Sequence, residues 1–122
     1  MLIPLLHARV TTVTVVCCAG VGLWGLWLAF RKQELTTSFL GALLLNEAIF
    51  LAQGSLGLMM VLQGTQPGQG VHYLYGVVAL LALPVTLLVT RARRTSQEAA
   101  IYGAVCLFLS GVALRAAATG PF

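Results

Sequence analysis

Four apolar stretches, each long enough to cross a lipid bilayer, divide this sequence almost end to end. They run over residues 10–30, 38–63, 71–90 and 98–118. A membrane-crossing helix needs about 20 mostly apolar residues, and every stretch supplies them. The connections at 31–37, 64–70 and 91–97 are only long enough to turn the chain around. A spanning barrel strand takes about 9–11 residues with strict alternation of polarity, and the stretches do not fit that pattern. Short connections force successive helices to lie antiparallel. The expected fold is an all-α membrane protein, a single four-helix transmembrane domain over residues 1–122 with up-down-up-down order.

Composition supports the same solvent. Hydrophobic residues make up 59% of the chain and charged residues only 8%, against about 25% charged in a soluble domain. A soluble fold of this size has no interior large enough to hide so much apolar surface. Basic residues outnumber acids seven to three, which in a soluble protein would suggest nucleic acid. Here they sit between apolar stretches and read as topology signals. Arg31 and Lys32 lie in the first connection, Arg91, Arg93 and Arg94 in the third, and none in the second. The positive-inside rule then puts the first and third connections in the cytoplasm and both termini outside, with Arg9 and Arg115 as two outer-side exceptions. The segment ahead of the first stretch is too short and too weakly basic for a signal peptide, so the first helix is expected to be retained.

The faces of the helices carry two kinds of pattern. Small residues let helix backbones approach in lipid. Thr11, Thr14, Cys18, Gly22 and Gly25 form one stripe on the first helix. Ala99, Gly103, Cys106, Ser110 and Ala117 form a second on the fourth, and His72, Gly76, Ala79, Leu83, Thr86 and Thr90 a third on the third helix. These are expected packing ridges. Trp24 and Trp27 fall opposite the first ridge and are expected to face lipid as interfacial anchors. Pro84 is expected to kink the third helix, with neighbouring groups satisfying the carbonyl it frees. The cysteines, Cys17, Cys18 and Cys106, all lie in apolar stretches without CxxC spacing. They read as small hydrophobes rather than as a disulfide or zinc framework.

The second helix differs. Asn46, Glu47, Gln53, Gly54 and Gly57 share a sector about 100° wide. Glu47 falls roughly 14 Å deep, close to mid-membrane. A charge there costs about 2.5–3.5 kcal/mol, so an intramembrane acid is a functional candidate. Asn46, Glu47 and Gln53 form the expected intramembrane polar site. One reading is a proton or cation site; the other is a neutral acid hydrogen-bonded to a neighbouring helix or subunit. A second group gathers at the outer side: His72, Tyr73, Tyr75, Gln63 and Arg115. These residue types suit a quinone or lipid headgroup, or the contact face of a partner, and also suit an aromatic belt. His7 lies on the same side. Two histidines on one face can ligate a haem iron, but no haem motif governs their spacing. No nucleophile triad, phosphate loop, metal cluster or dinucleotide turn occurs in the sequence, which therefore offers no case for an enzyme and no motif for a bound cofactor.

The stretch from His72 to Gly76 (His-Tyr-Leu-Tyr-Gly), then Pro84, then Arg115 to Gly120 (Arg-Ala-Ala-Ala-Thr-Gly) resembles small four-helix proteins of bacterial electron-transfer chains. That resemblance implies an accessory subunit of a quinol-oxidising or oxidase-type complex in the bacterial inner membrane, and brings no catalytic residues with it. In size and helix count the chain also resembles small multidrug transporters. Those carry an essential acid in the first helix, where this chain has none. The leading expectation is a non-catalytic accessory subunit of a larger respiratory or photosynthetic membrane complex. The alternative is a small homo-oligomeric proton- or cation-coupled transporter or channel that uses Glu47.

Overall fold

A computed structural model describes residues 2–119. They form four α-helices: α1, Leu2–Phe30; α2, Thr37–Leu62; α3, Val71–Val89; and α4, Ser96–Thr119. Each is long and apolar enough to cross a membrane, as the sequence predicts. The largest departure is the start of α1, which begins at Leu2 rather than at residue 10. Pro4 falls in its first turn, where a missing N–H leaves no hydrogen bond unmade. At 1.5 Å per residue the 29 residues of α1 reach about 43 Å, beyond the roughly 30 Å of hydrocarbon. His7 is therefore a helical residue of α1. α3 runs through Pro84 without interruption.

Three helix ends are built alike. Lys32 N–H donates to Ala29 O and Gln33 N–H to Leu28 O; Gly64 to Val61 and Thr65 to Met60; Arg91 to Leu88 and Ala92 to Leu87. This paired pattern satisfies the last carbonyls of a helix when the chain turns into the left-handed region. Gly64 takes that conformation at no steric cost (φ 91°), whereas Lys32 (φ 53°), Arg91 and Ala92 (φ 55° each) do so with a side chain. The cations Lys32 and Arg91 thereby stand beside the negative ends of the α1 and α3 dipoles.

The helices pack in a closed ring. α1 lies against α2 and α4, and α3 lies against the same two, while α1 and α3 face each other across the bundle without close backbone approach. The α1–α4 seam is the tightest. Cys18, Gly22 and Gly25 of α1 are buried there against Ala99, Gly103 and Cys106 of α4. A Cβ on Gly22 would meet Gly103 O at 3.0 Å, and one on Gly103 would meet Leu26 N at 2.8 Å. Only hydrogen fits at such positions, so the backbones touch directly. Ser110 Oγ adds a bond of 3.1 Å to Val15 O. The ridges expected on α1 and α4 are thus correct in their central residues, but Ala117 is exposed. On α3 only Ala79 and Leu83 are buried within the helix, with Thr90 just past its end; Gly76 is exposed and has nothing near its missing Cβ.

Trp24 corrects another expectation. It does not stand out as a lipid anchor but packs edge-on against Phe39 of α2, ring centres 5.3 Å apart. Trp27 does face outward, stacked on Phe30 and capped by the Arg31 guanidinium. The first and third connections are tied together here. Leu35 N–H donates to Arg94 O at 2.8 Å, and Arg94 Nη2 donates to Leu35 O at 3.3 Å. Thr36 caps α2 by accepting from Phe39 N–H. At the far end Gln69 N–H donates to Thr119 O, which fixes the second connection to the end of α4.

Candidate functional site

The bundle has a tight half and an open half. Around Gly22, Gly25 and Gly103 the helices touch; toward the second connection they part around a cavity of about 690 Å³. All four helices contribute to it. Its walls are mostly small residues, including Gly54, Gly57, Gly76, Ala113 and Ala116. Its polar groups are few: His7, Thr11, Thr12 and Thr14 on α1, Gln53 on α2, and His72, Tyr73 and Tyr75 on α3. A mostly apolar pocket of this size with a few convergent polar groups is the usual form of a small-molecule site, which spans about 300–1,000 Å³.

Both histidines are held from neighbouring helices. Gln53 Nε2 donates to His7 O and to Thr11 Oγ1, each at 2.8 Å, and so cross-links α2 to the first turns of α1. The His7 ring lies over Gly57, where an added Cβ would stand 3.4 Å from its Cε1. His72 Nδ1 lies 2.9 Å from Ala116 O, and Thr119 Oγ1 lies 3.4 Å from the same nitrogen. A carbonyl only accepts, so Nδ1 carries the proton and the lone pair is on Nε2. The two rings, from facing helices α1 and α3, have centres 6.2 Å apart. Tyr73 Oη donates to Gln66 Oε1 at 2.6 Å.

The structure divides the expected outer-side group. His72, Tyr73 and Tyr75 line the cavity, but Gln63 and Arg115 do not. Gln63 ends α2, with its backbone N–H bonded to Met59 O and Met60 O, and Arg115 is exposed on α4. Gly120, the last residue of the resemblance noted above, lies outside the described residues. His7, Thr11 and Gln53 take their place. His7 and Gln53 were visible in the sequence, but only a helix starting at Leu2 brings them together.

The expected intramembrane triad separates as well. Asn46 is buried and donates to Cys106 Sγ on α4 at 3.9 Å. Gln53 reaches α1. Glu47 is half-buried, and its Oε1 has no hydrogen-bond partner among the described residues. Gln53 Oε1 and Asn46 Oδ1 are likewise buried and without a partner among them.

Glu98, an acid the sequence reading passed over, is almost fully buried at the other end of the bundle. Its Oε1 accepts from Thr95 N–H at 3.2 Å and from the Thr95 hydroxyl, while Oε2 lies 3.5 Å from Arg93 Nε. Thr95-Ser-Gln-Glu98 has the spacing of a capping box, a signal that was available. Tyr102, also buried, bonds Thr90 Oγ1 beside it at 3.3 Å. These groups close the tight end of the bundle and lie outside the cavity. Comparison with protein families, with curated proteins and with solved structures finds no match to this chain.

Proposed function

We propose that this chain is a non-catalytic subunit of a larger membrane complex of the electron-transfer kind, and that it works by holding a small non-protein molecule between its helices. The cavity at the open half of the bundle carries this reading. Four helices that needed only to pack could close as tightly there as they do around Gly103. Instead, three glycines and several alanines widen the space, and His7, Gln53, His72 and Tyr75 supply polar groups at its rim. The resemblance of residues 72–76, Pro84 and residues 115–120 to electron-transfer proteins adds the setting, which is a bacterial inner membrane. The distribution of Arg and Lys supports an up-down-up-down insertion with both termini outside. A quinone or a lipid is one class of occupant for the cavity. Purification in mild detergent from native membranes tests the reading: distinct larger subunits should accompany the chain. A clean homo-oligomer with no other subunit would contradict it.

One observation favours a second reading. Glu47 Oε1 is buried in the spanning part of α2 without a hydrogen-bond partner among the described residues, as a coupling acid of a small transporter would be. It stands apart from the cavity, so a transport path through the open half of the bundle does not include it.

A further inference from the structure

We infer that the cavity is a b-type haem site in which His7 and His72 ligate the iron from opposite faces. This rests on reading the cavity as a ligand site and names the ligand. Three observations converge. The first is spacing. A metal–nitrogen bond of about 2 Å and roughly 1 Å from ring nitrogen to ring centre put two trans imidazoles about 6 Å apart, centre to centre. His7 and His72 stand at 6.2 Å. Their planes differ by 64°, which is compatible because each ring can rotate about its own iron–nitrogen axis.

The second is orientation. His72 Nδ1 donates to the Ala116 carbonyl at 2.9 Å, which fixes the tautomer with the lone pair on Nε2. A ligating histidine almost always gives its other N–H to a carbonyl, carboxylate or water in this way. His7 is held at its backbone by Gln53 and seated over Gly57. The rings come from α1 and α3, which face each other without close backbone approach, so a macrocycle lying between them need not separate packed helices. Bundle cofactor sites are built in this way, from side chains on facing helices.

The third is chemistry. Among the described residues no group of three or more His, Cys, Asp or Glu side chains could hold a metal ion. Two imidazoles are a poor cage for a bare zinc ion, which takes three or four protein ligands. Haem brings four nitrogens of its own and needs only an axial pair. With the axial pair on α1 and α3, the edges of a porphyrin would turn toward α2 and α4, where small residues such as Gly54 and Ala113 line the cavity, and its volume of about 690 Å³ extends well beyond the two rings. A quinone would use the same rim, but it requires neither a second imidazole opposite the first nor this spacing.

The test is haemin titration of the full chain purified in mild detergent, followed by absorption and electron paramagnetic resonance spectroscopy. The expected result is one haem per chain with a six-coordinate low-spin signature in both oxidation states. His7→Ala and His72→Ala should each convert it to a five-coordinate high-spin form, and added imidazole should restore the low-spin signal. Rescue separates loss of a ligand from loss of the fold. Haemin that partitions only into detergent, or a low-spin spectrum that survives both substitutions, overturns the proposal. Quinone or lipid recovered from the chain, with no haemin uptake, overturns the haem and leaves the ligand site standing. An absence of any extractable ligand, with no haemin uptake, overturns both.

Discussion

A Cβ on Gly25 would stand 2.9 Å from the Cα of Gly103 and 3.0 Å from its N. The atoms it would strike are backbone, which cannot swing aside as a flexible side chain does. The α1–α4 seam therefore sets how far apart the two helices stand over the tight half of the bundle. Gly103→Ala should destabilise the chain by about 1–3 kcal/mol, as overpacking does, although alanine is by itself the better helix former. Gly20→Ala, on the same helix as Gly25 but with nothing within 4 Å of the added atom, should be neutral or slightly stabilising. Thermal unfolding in detergent compares the two. Equal effects would remove the seam from this account.

At the capping box of α4 two interactions compete for credit. The Arg93–Glu98 pair is stretched to 3.5 Å, with the Arg side chain 55% exposed, and exposed pairs contribute about 0–1 kcal/mol. The Thr95 bonds are part-buried and reach a carboxylate that is itself buried, and losing a cap costs about 0.5–2 kcal/mol. Thr95→Ala should therefore cost more than Arg93→Ala in the same unfolding experiment. The reverse order would mean that the ion pair, not the cap, secures the start of α4.

The four spans and the glycine ridges were legible because length and small-residue spacing are properties of the chain alone. Which face of each helix turns inward was less so. In lipid a helix can be apolar all round, so the periodicity that orients a helix in water carries little signal. Trp24 shows the result. An interfacial tryptophan near a helix end reads as an anchor, yet Phe39 across the α1–α2 seam takes it into the bundle. The cavity was only partly legible. Its floor and walls come from residues whose common feature is small size, and the position of His7 depends on where α1 starts. Glu98 was legible through Thr95 but not its burial, which tertiary packing decides.

Glu47 separates the two functional readings. If its partner lies on another subunit, Glu47→Leu should leave the isolated chain as stable as before, since Glu47 makes no side-chain hydrogen bond among the described residues, yet lower recovery of the complex. Glu47→Gln keeps the shape and a donor, and should leave both unchanged. An assembled complex that loses transport or electron-transfer activity with Gln alone would favour the transporter.

Orientation in the membrane is tested by cysteine accessibility. Gln66→Cys in the second connection should react with an impermeant thiol reagent applied from outside. Gln33→Cys in the first connection should react only after the membrane is opened. Both positions are exposed. Mixed or inverted labelling would contradict the assignment drawn from Arg31, Lys32, Arg91, Arg93 and Arg94.

If the open half of the bundle holds a small molecule, closing that space should expel it. Gly76 lines the cavity and has nothing within 4 Å of an added Cβ, so Gly76→Phe places a bulky side chain at the cavity wall on a Cβ that meets no neighbour. The deciding measurement is mass spectrometry of the non-protein content of the chain purified in mild detergent, wild type against Gly76→Phe, alongside unfolding temperature. The expected result is a defined non-protein species, close to one per chain, in the wild type. That species should be lost from a Gly76→Phe variant that still folds. Equal ligand content in the two proteins, or no bound species in the wild type, would contradict the ligand site.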